Sequence, residues 1–443
     1  MDFTEGRIAR KLIVFSLPVT LGVLLQTAYN IVDTFFIGMI GPDSLAAVSV
    51  SFPVIFAFIA LANGLGIGVN SLVSRAIGRK RPEAANNVAD NAVLLAIVLS
   101  LSISLVCIWA SPFLFPLMGA TGNVLSLALE YSTPIFLSAV FTFAWSVSSS
   151  IMRAEGNSKT PMKNLAFSVV LNAVLDPFLI FGIGPFPRLG LFGAAMSTFF
   201  SDFVAAALNF SYLLRKKSVV TVSLKRLKLS FACMKEILKI GVPSSASQLL
   251  TSAGFVMLVG LVGAFGSNAL AAFGIGMRVN SVIILPIIGI SSSVVSFVGQ
   301  NIGAGKYDRA RKGSVAGVLL TLCFAAVAVS ITMLFPALII SFFTQDQSVI
   351  AIGAAYLSIV PLAYLLYSLY FSLSAAFEGA GRTHLSLATN VTYWIVAIGL
   401  AAFLSPILGL HGIWIAIVSA AAAEALAVLA LFHSKTWEKA GGK

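Results

Sequence analysis

Three aspartates stand in stretches that are otherwise apolar: Asp33 in QTAYNIVDTFFIG, Asp176 in VVLNAVLDPFLIFG, and Asp202 closing GAAMSTFFSD. A charged side chain in hydrocarbon costs several kcal/mol by most measures, so each needs a partner or a task. Asn172 precedes Asp176 by one helical turn, which puts amide and carboxylate on the same helix face. Pro177 has no N–H, so the carbonyl of Ala173 loses its intrahelical donor. A carboxylate, an amide oxygen and a freed carbonyl make a hard-oxygen set suited to a small cation such as Na+. The same carboxylate could instead hold a proton. The structural alternative is that Asn172 and Asp176 hydrogen-bond a neighbouring helix for packing. The cost of an acid in hydrocarbon favours the ion-binding reading for both.

Asp33 shares its apolar run with Pro18, Gln26 and Asn30. Proline lets a helix bend, so this run could couple protonation of a carboxylate to its own shape. The competing reading has Pro18 kinking the helix near one end while Asp33 caps the other. Asp202 fits the same polar network and a structural role in a polar crevice equally well. Glu424, in SAAAAEALAVL, lies on a small-residue face that suits close helix packing, and a structural role is expected there. Arg278 falls inside an apolar run; it could approach a cavity or snorkel toward water, and its role stays open.

The elements that position these residues follow from hydropathy. The chain has 443 residues, 58% of them hydrophobic and only 10% charged. A soluble protein carries about 25% charged residues, so a lipid-exposed surface explains the deficit. Runs long enough to span a bilayer, roughly 20 apolar residues each, occur near 12–38, 48–72, 88–110, 124–150, 163–184 and 190–214. A second set covers 240–263, 271–297, 314–336, 348–374, 386–405 and 409–432. The reading is an all-α membrane protein of twelve transmembrane helices. Residues 1–214 form an N-terminal six-helix lobe, 215–239 a cytoplasmic linker, and 240–443 a C-terminal six-helix lobe. No small-residue cleavage site ends a short apolar core near the start, so the first helix is expected to stay.

Lysine and arginine resist translocation during insertion. With the N-terminus in the cytoplasm, nearly all basic residues fall on that side, from Arg7, Arg10 and Lys11 to Lys435, Lys439 and Lys443, and Arg188 faces the opposite side. The chain therefore reads as a multi-pass cell-membrane protein with both termini cytoplasmic. The net charge of +12 is spread over these short gaps, which argues against nucleic-acid binding. Cys107, Cys233 and Cys323 are scattered without metal-ligand spacing or a disulfide pattern.

The two halves repeat one another. Pro18 recurs as Pro243, Gly41 as Gly266, Leu45-Ala46-Ala47 as Leu270-Ala271-Ala272, Gly64 as Gly289, and Gly78 as Gly303. Further along, Glu155-Gly156 with Thr160 recurs as Glu378-Gly379 with Thr383, and Gly190-Leu191 with Gly193 as Gly409-Leu410 with Gly412. Six helices per half is an even number, so the expected relation is a pseudo-twofold along the membrane normal. Halves of that kind usually enclose a central cavity and rock to expose it to each side in turn. The acids do not follow the repeat. Leu258 stands opposite Asp33, and Gly399 opposite Asp176.

No Walker sequence or HExxH spacing is present, and the glycines from Gly64 to Gly68 lack the strand and acid of a nucleotide fingerprint. No catalytic set and no resident cofactor are read from the sequence. The chain does resemble the multidrug and toxic compound extrusion (MATE) family, in particular its DinF-like prokaryotic branch. The likeness rests on PVTLGVLLQTAYNIVDTFFIGMIGPDSLAAVSV, on LVSRAIGRKRPEAA with FVGQNIGAGKYDRA, on RAEGNSKTPM with FEGAGRTHLS, and on NAVLDP. It implies antiport in which H+ or Na+ drives export of amphipathic, often cationic organic compounds by a monomer in the lipid bilayer. Residue by residue, it implicates Asp33, Asn172, Asp176 and Thr198 in cation binding, with Tyr131 as a further polar contributor. Two rivals remain: a lipid-linked precursor flippase of the wider superfamily, and a membrane-embedded lipid enzyme. The first would want a strongly basic cavity and the second a convergent catalytic cluster.

Overall fold

In hydrocarbon every backbone polar group must be satisfied within its own segment, so long apolar runs fold as helices. The computed structural model describes residues 1–215, 218–223 and 228–438, and among them it holds fourteen α-helices and no strand. Parts of the 215–239 linker, and the basic Lys439 and Lys443, lie outside the described residues.

The first six helices are α1 (Ile8–Gly38), α2 (Pro42–Gly78), α3 (Pro82–Leu117), α4 (Gly122–Ala154), α5 (Lys159–Phe181) and α6 (Gly190–Leu214). The second series runs α7 (Phe231–Gly263), α8 (Ser267–Gly303), α9 (Tyr307–Leu334), α10 (Pro336–Ser341), α11 (Gln347–Ile359), α12 (Leu362–Gly379), α13 (Thr383–Leu408) and α14 (Leu410–His433). Eleven of these are long and apolar enough to cross a membrane, and the bent pair α11–α12 makes twelve. The run expected as one straight span over 348–374 is thus two helices meeting at 48°. Pro361 stands at the break, where it can neither donate a backbone hydrogen bond nor tolerate the preceding turn. Pro18 and Pro177, by contrast, are carried inside continuous helices.

Two compact units emerge. The first contains residues 1–2 and 21–245, the second 3–20 and 246–443. The division runs through α1 and α7, so each long helix serves both units. Repeated glycines explain how. In the first unit a Cβ on Gly64 of α2 would lie 2.0 Å from Ser245 Oγ and 2.5 Å from the Gly241 carbonyl, both on α7. In the second, a Cβ on Gly289 of α8 would lie 2.4 Å from Thr20 Oγ1 on α1. Only glycine permits so close an approach of helix to helix.

The motif around Glu155 ties down the end of α4. Glu155 Oε2 accepts from Ser218 Oγ at 2.5 Å and from the Val219 amide at 2.9 Å. Burial pushes this carboxyl's pKa up, and the same hydrogen bonds pull against that. Gly156 has φ 82°, and a Cβ there would meet the Met1 carbonyl at 2.1 Å.

Candidate functional site in the first unit

Helices α5 and α6 form an antiparallel hairpin whose closeness is set by Gly193. A Cβ at that position would sit 2.4 Å from the carbonyl oxygen of Leu179. Asp176 lies one turn before Leu179 on α5, and Ser197 one turn after Gly193 on α6. The tight approach therefore brings this carboxylate and this hydroxyl together. Ser197 Oγ donates to Asp176 Oδ1 in a short hydrogen bond. Asn172 Nδ2 reaches Ser197 Oγ at 3.4 Å and Asp176 Oδ1 at 3.5 Å. Further along the hairpin, Ser168 Oγ donates to the Ser201 carbonyl at 2.8 Å and Asn164 Nδ2 to Asn209 Oδ1 at 2.8 Å.

Asp33 on α1 joins this centre. It is buried, and it lies within electrostatic reach of Asp176. Tyr131 on α4, also buried, feels the charge of both Asp33 and Asp176. Tyr29, one turn before Asp33, is close to Asp202, Asp33, Asp176 and Thr198, and its hydroxyl has no hydrogen-bond partner. Asp33 Oδ1, Asp176 Oδ2 and Asn172 Oδ1 likewise have no hydrogen-bond partner among the described residues. Among the described residues no ion pair neutralises either aspartate.

The other residues singled out from sequence fall in different surroundings. Asp202 accepts from Thr142 Oγ1 at 3.0 Å, which ties α6 to α4. Gln26 and Asn30 are exposed on α1. Thr198 faces Tyr29, while its neighbour Ser197 takes the hydrogen bond to Asp176. Sequence reading named neither Ser197 nor Tyr29. The signal for Ser197 was its place one turn from the closely packed Gly193, and for Tyr29 its place one turn from Asp33. Arg278 is exposed on α8.

Chemically, this is a buried pocket of oxygens with two carboxyl groups and no fixed positive charge. Its unpartnered donors fit a monovalent cation or a proton. Among the described residues no group of three His, Cys, Asp or Glu side chains could hold a metal ion together, so the donor set is of a different kind from a transition-metal centre.

A duplicated bundle of membrane-spanning helices is an architecture that many membrane transporters share. The MatE family model matches twice, over residues 18–178 and 243–403, and the chain belongs to this family of multi-pass membrane transporters. Similar proteins include an FAD transporter of Shewanella oneidensis, 30% identical over 93% of this chain and 91% of that one. The probable multidrug resistance protein YoeA of Bacillus subtilis is 28% identical, covering 97% and 94%. The multidrug export protein MepA of Staphylococcus aureus is 28% identical, covering 97% and 93%. Among solved structures, a MATE protein in the straight conformation matches with a TM-score of 0.92 at 29% identity, covering 98% of this chain and 97% of that one. The bent conformation matches with a TM-score of 0.92 at 29% identity, covering 98% and 96%.

Proposed function

We propose that the protein is a cation-coupled efflux antiporter, in which H+ or Na+ binding at Asp33, Asn172, Asp176 and Ser197 drives export of amphipathic organic compounds by alternating access. The observation that carries the reading is the pair of buried carboxyl groups within reach of each other, with unpartnered oxygens and no compensating cation. Two like charges in a low-dielectric site repel, and a bound cation or proton relieves that repulsion. Because the acids interact, they take up and release their protons as a pair. Relief of repulsion at Asp33 would change the preferred shape of α1, which carries Pro18 in the same helix. A related MATE protein has been solved in bent and in straight conformations, which supports a shape change as part of the cycle. The relatives YoeA and MepA support organic compounds as cargo. The basic residues support cytoplasmic termini.

The test is efflux of ethidium from proteoliposomes, with a sodium gradient and a proton gradient imposed separately. Asp33→Asn and Asp176→Asn should each remove gradient-driven efflux. Unchanged coupled efflux in both variants would end the proposal. A second reading concerns the cargo, and the relative described as an FAD transporter favours it. Gradient-driven efflux of FAD, competing with ethidium, would establish that reading, and ethidium efflux indifferent to FAD would remove it.

A further inference from the structure

The second unit contains a buried acid that the scheme above does not use. Glu424 on α14 is 2% exposed, and its Oε1 has no hydrogen-bond partner. The sequence suggests that it packs among small residues, and Ala420, Ala421 and Ala425 around it are indeed buried. Its carboxyl group, however, meets a polar shell. Asn390 on α13 lies close to Glu424, and Asn390 Oδ1 accepts from Thr251 Oγ1 on α7 at 3.3 Å. Tyr370 on α12 lies close to Asn390 and Ser374. Tyr367 and Tyr393 share a hydroxyl contact of 2.8 Å, and both lie within electrostatic reach of Glu424.

The titratable groups around Glu424 are therefore the phenols of Tyr367 and Tyr370 from α12 and of Tyr393 from α13, with Tyr356 of α11 next to Tyr367. Glu378 of α12 acts on Tyr370 from beyond. Every one of these is neutral or acidic. Among the described residues Glu424 belongs to no ion pair. A carboxyl group in such surroundings is stable as the neutral acid, because a buried charge needs a partner and none is supplied. Glu424 Oε1 has no hydrogen-bond partner among the described residues and is free to carry a hydrogen.

We infer that Glu424 is a second proton-binding carboxyl group, located wholly within the second unit beside Asn390, whose Oδ1 Thr251 holds. Loading and release at Glu424 would change what Asn390 faces, and so connect α14 and α13 with α7 and α12 through one side chain. This inference stands apart from the acids of the first unit, and its test separates the two.

The experiment is infrared difference spectroscopy of the purified full-length protein in lipid, titrated across pH, in an Asp33→Asn/Asp176→Asn background that silences the first-unit acids. The expected result is a protonated-carboxyl stretch that titrates in this background and is lost on adding Glu424→Gln. Superimposable titrations with and without Glu424→Gln would overturn the inference. So would disappearance of the band on adding Na+ at constant pH, which would make the group a sodium ligand. Asn390→Ala should move the same band, because it removes the amide beside the acid, while Glu424→Asp should restore a titrating band. If Glu424→Gln fails to fold, the Asn390→Ala shift alone decides, and an unmoved band counts against the inference.

Discussion

The α5–α6 hairpin of the first unit and the α13–α14 hairpin of the second share a backbone plan and differ in chemistry. Gly193 packs so closely that a Cβ would lie 2.4 Å from the Leu179 carbonyl. Its repeat partner Gly412 does the same, with 2.5 Å to the Leu404 carbonyl. Yet where the first hairpin sets Asp176 against Ser197, the second has alanines, Ala401 three residues before Leu404 and Ala416 four after Gly412. The acid of the second hairpin, Glu424, stands roughly 12 Å further along its helix at 1.5 Å per residue, facing Asn390 rather than a hydroxyl. Duplication thus preserved the helix contacts, which tolerate little change, and left the polar side chains free to diverge. Close packing is a property of backbones, while ion binding needs only a few atoms aimed at one point.

The largest effect expected from this difference is in coupling. Asp176→Asn removes the charge but keeps an amide that can accept from Ser197, so the fold should persist while gradient-driven ethidium efflux falls at least about tenfold, equivalent to about 1.4 kcal/mol. Glu424→Gln should leave efflux responsive to an imposed gradient. If the outcomes were exchanged, with Glu424→Gln abolishing the response and Asp176→Asn sparing it, the division of labour between the hairpins would be reversed.

A second effect separates shared scaffold from unshared chemistry. Gly193→Ala and Gly412→Ala each drive a methyl group into a backbone carbonyl, and overpacking of this kind costs about 1–3 kcal/mol. Thermal unfolding in detergent should show both variants lowered by similar amounts. Only Gly193→Ala should also weaken the gradient response, because it forces Asp176 and Ser197 apart. Equal loss of coupling in the two variants would mean that the second hairpin takes part in the same step.

Much of this was legible in the sequence, and the limits have physical causes. Hydropathy located the spans because every bilayer crossing demands the same apolar length. The repeat showed which glycines matter, since Gly41 and Gly266, at φ 149° and 96°, occupy turns that other residues resist. That Asn172 and Asp176 share a face follows from helical periodicity alone. The break at Pro361 was hidden because the apolar run continues through it on both sides. The choice of Ser197 over Thr198 depends on the rotation of α6 about its axis, which adjacent residues cannot reveal. The shell around Glu424 draws on α7, α12 and α13, so only tertiary structure assembles it.

The Ser197 and Thr198 pair gives a smaller, sharper test. A hydrogen bond to a charged group contributes about 1.5–3 kcal/mol, so Ser197→Ala should raise the ion concentration needed for half-maximal efflux about tenfold. Thr198→Ala loses only its contact with the Tyr29 hydroxyl and should stay within about twofold of the wild type. The reverse order would place the working hydroxyl at Thr198 and require α6 to rotate during transport.

The smallest effect is expected at Asp202, which marks the boundary of the first-unit centre. Its carboxylate accepts from Thr142, so it holds α6 to α4 through that hydrogen bond. Asp202→Asn keeps an oxygen that can accept from Thr142, and efflux should remain within about twofold of wild type. Tyr29 is the one described side chain that senses all three aspartates, with Asp202 acting on it most strongly. If Asp202→Asn abolished the gradient response as Asp176→Asn does, and Tyr29→Phe restored independence between them, the centre would have to be redrawn as three acids joined through a phenol. The contrast with the second unit would then be wider still, because the first unit would hold a relay of acids where Glu424 stands among phenols and an amide.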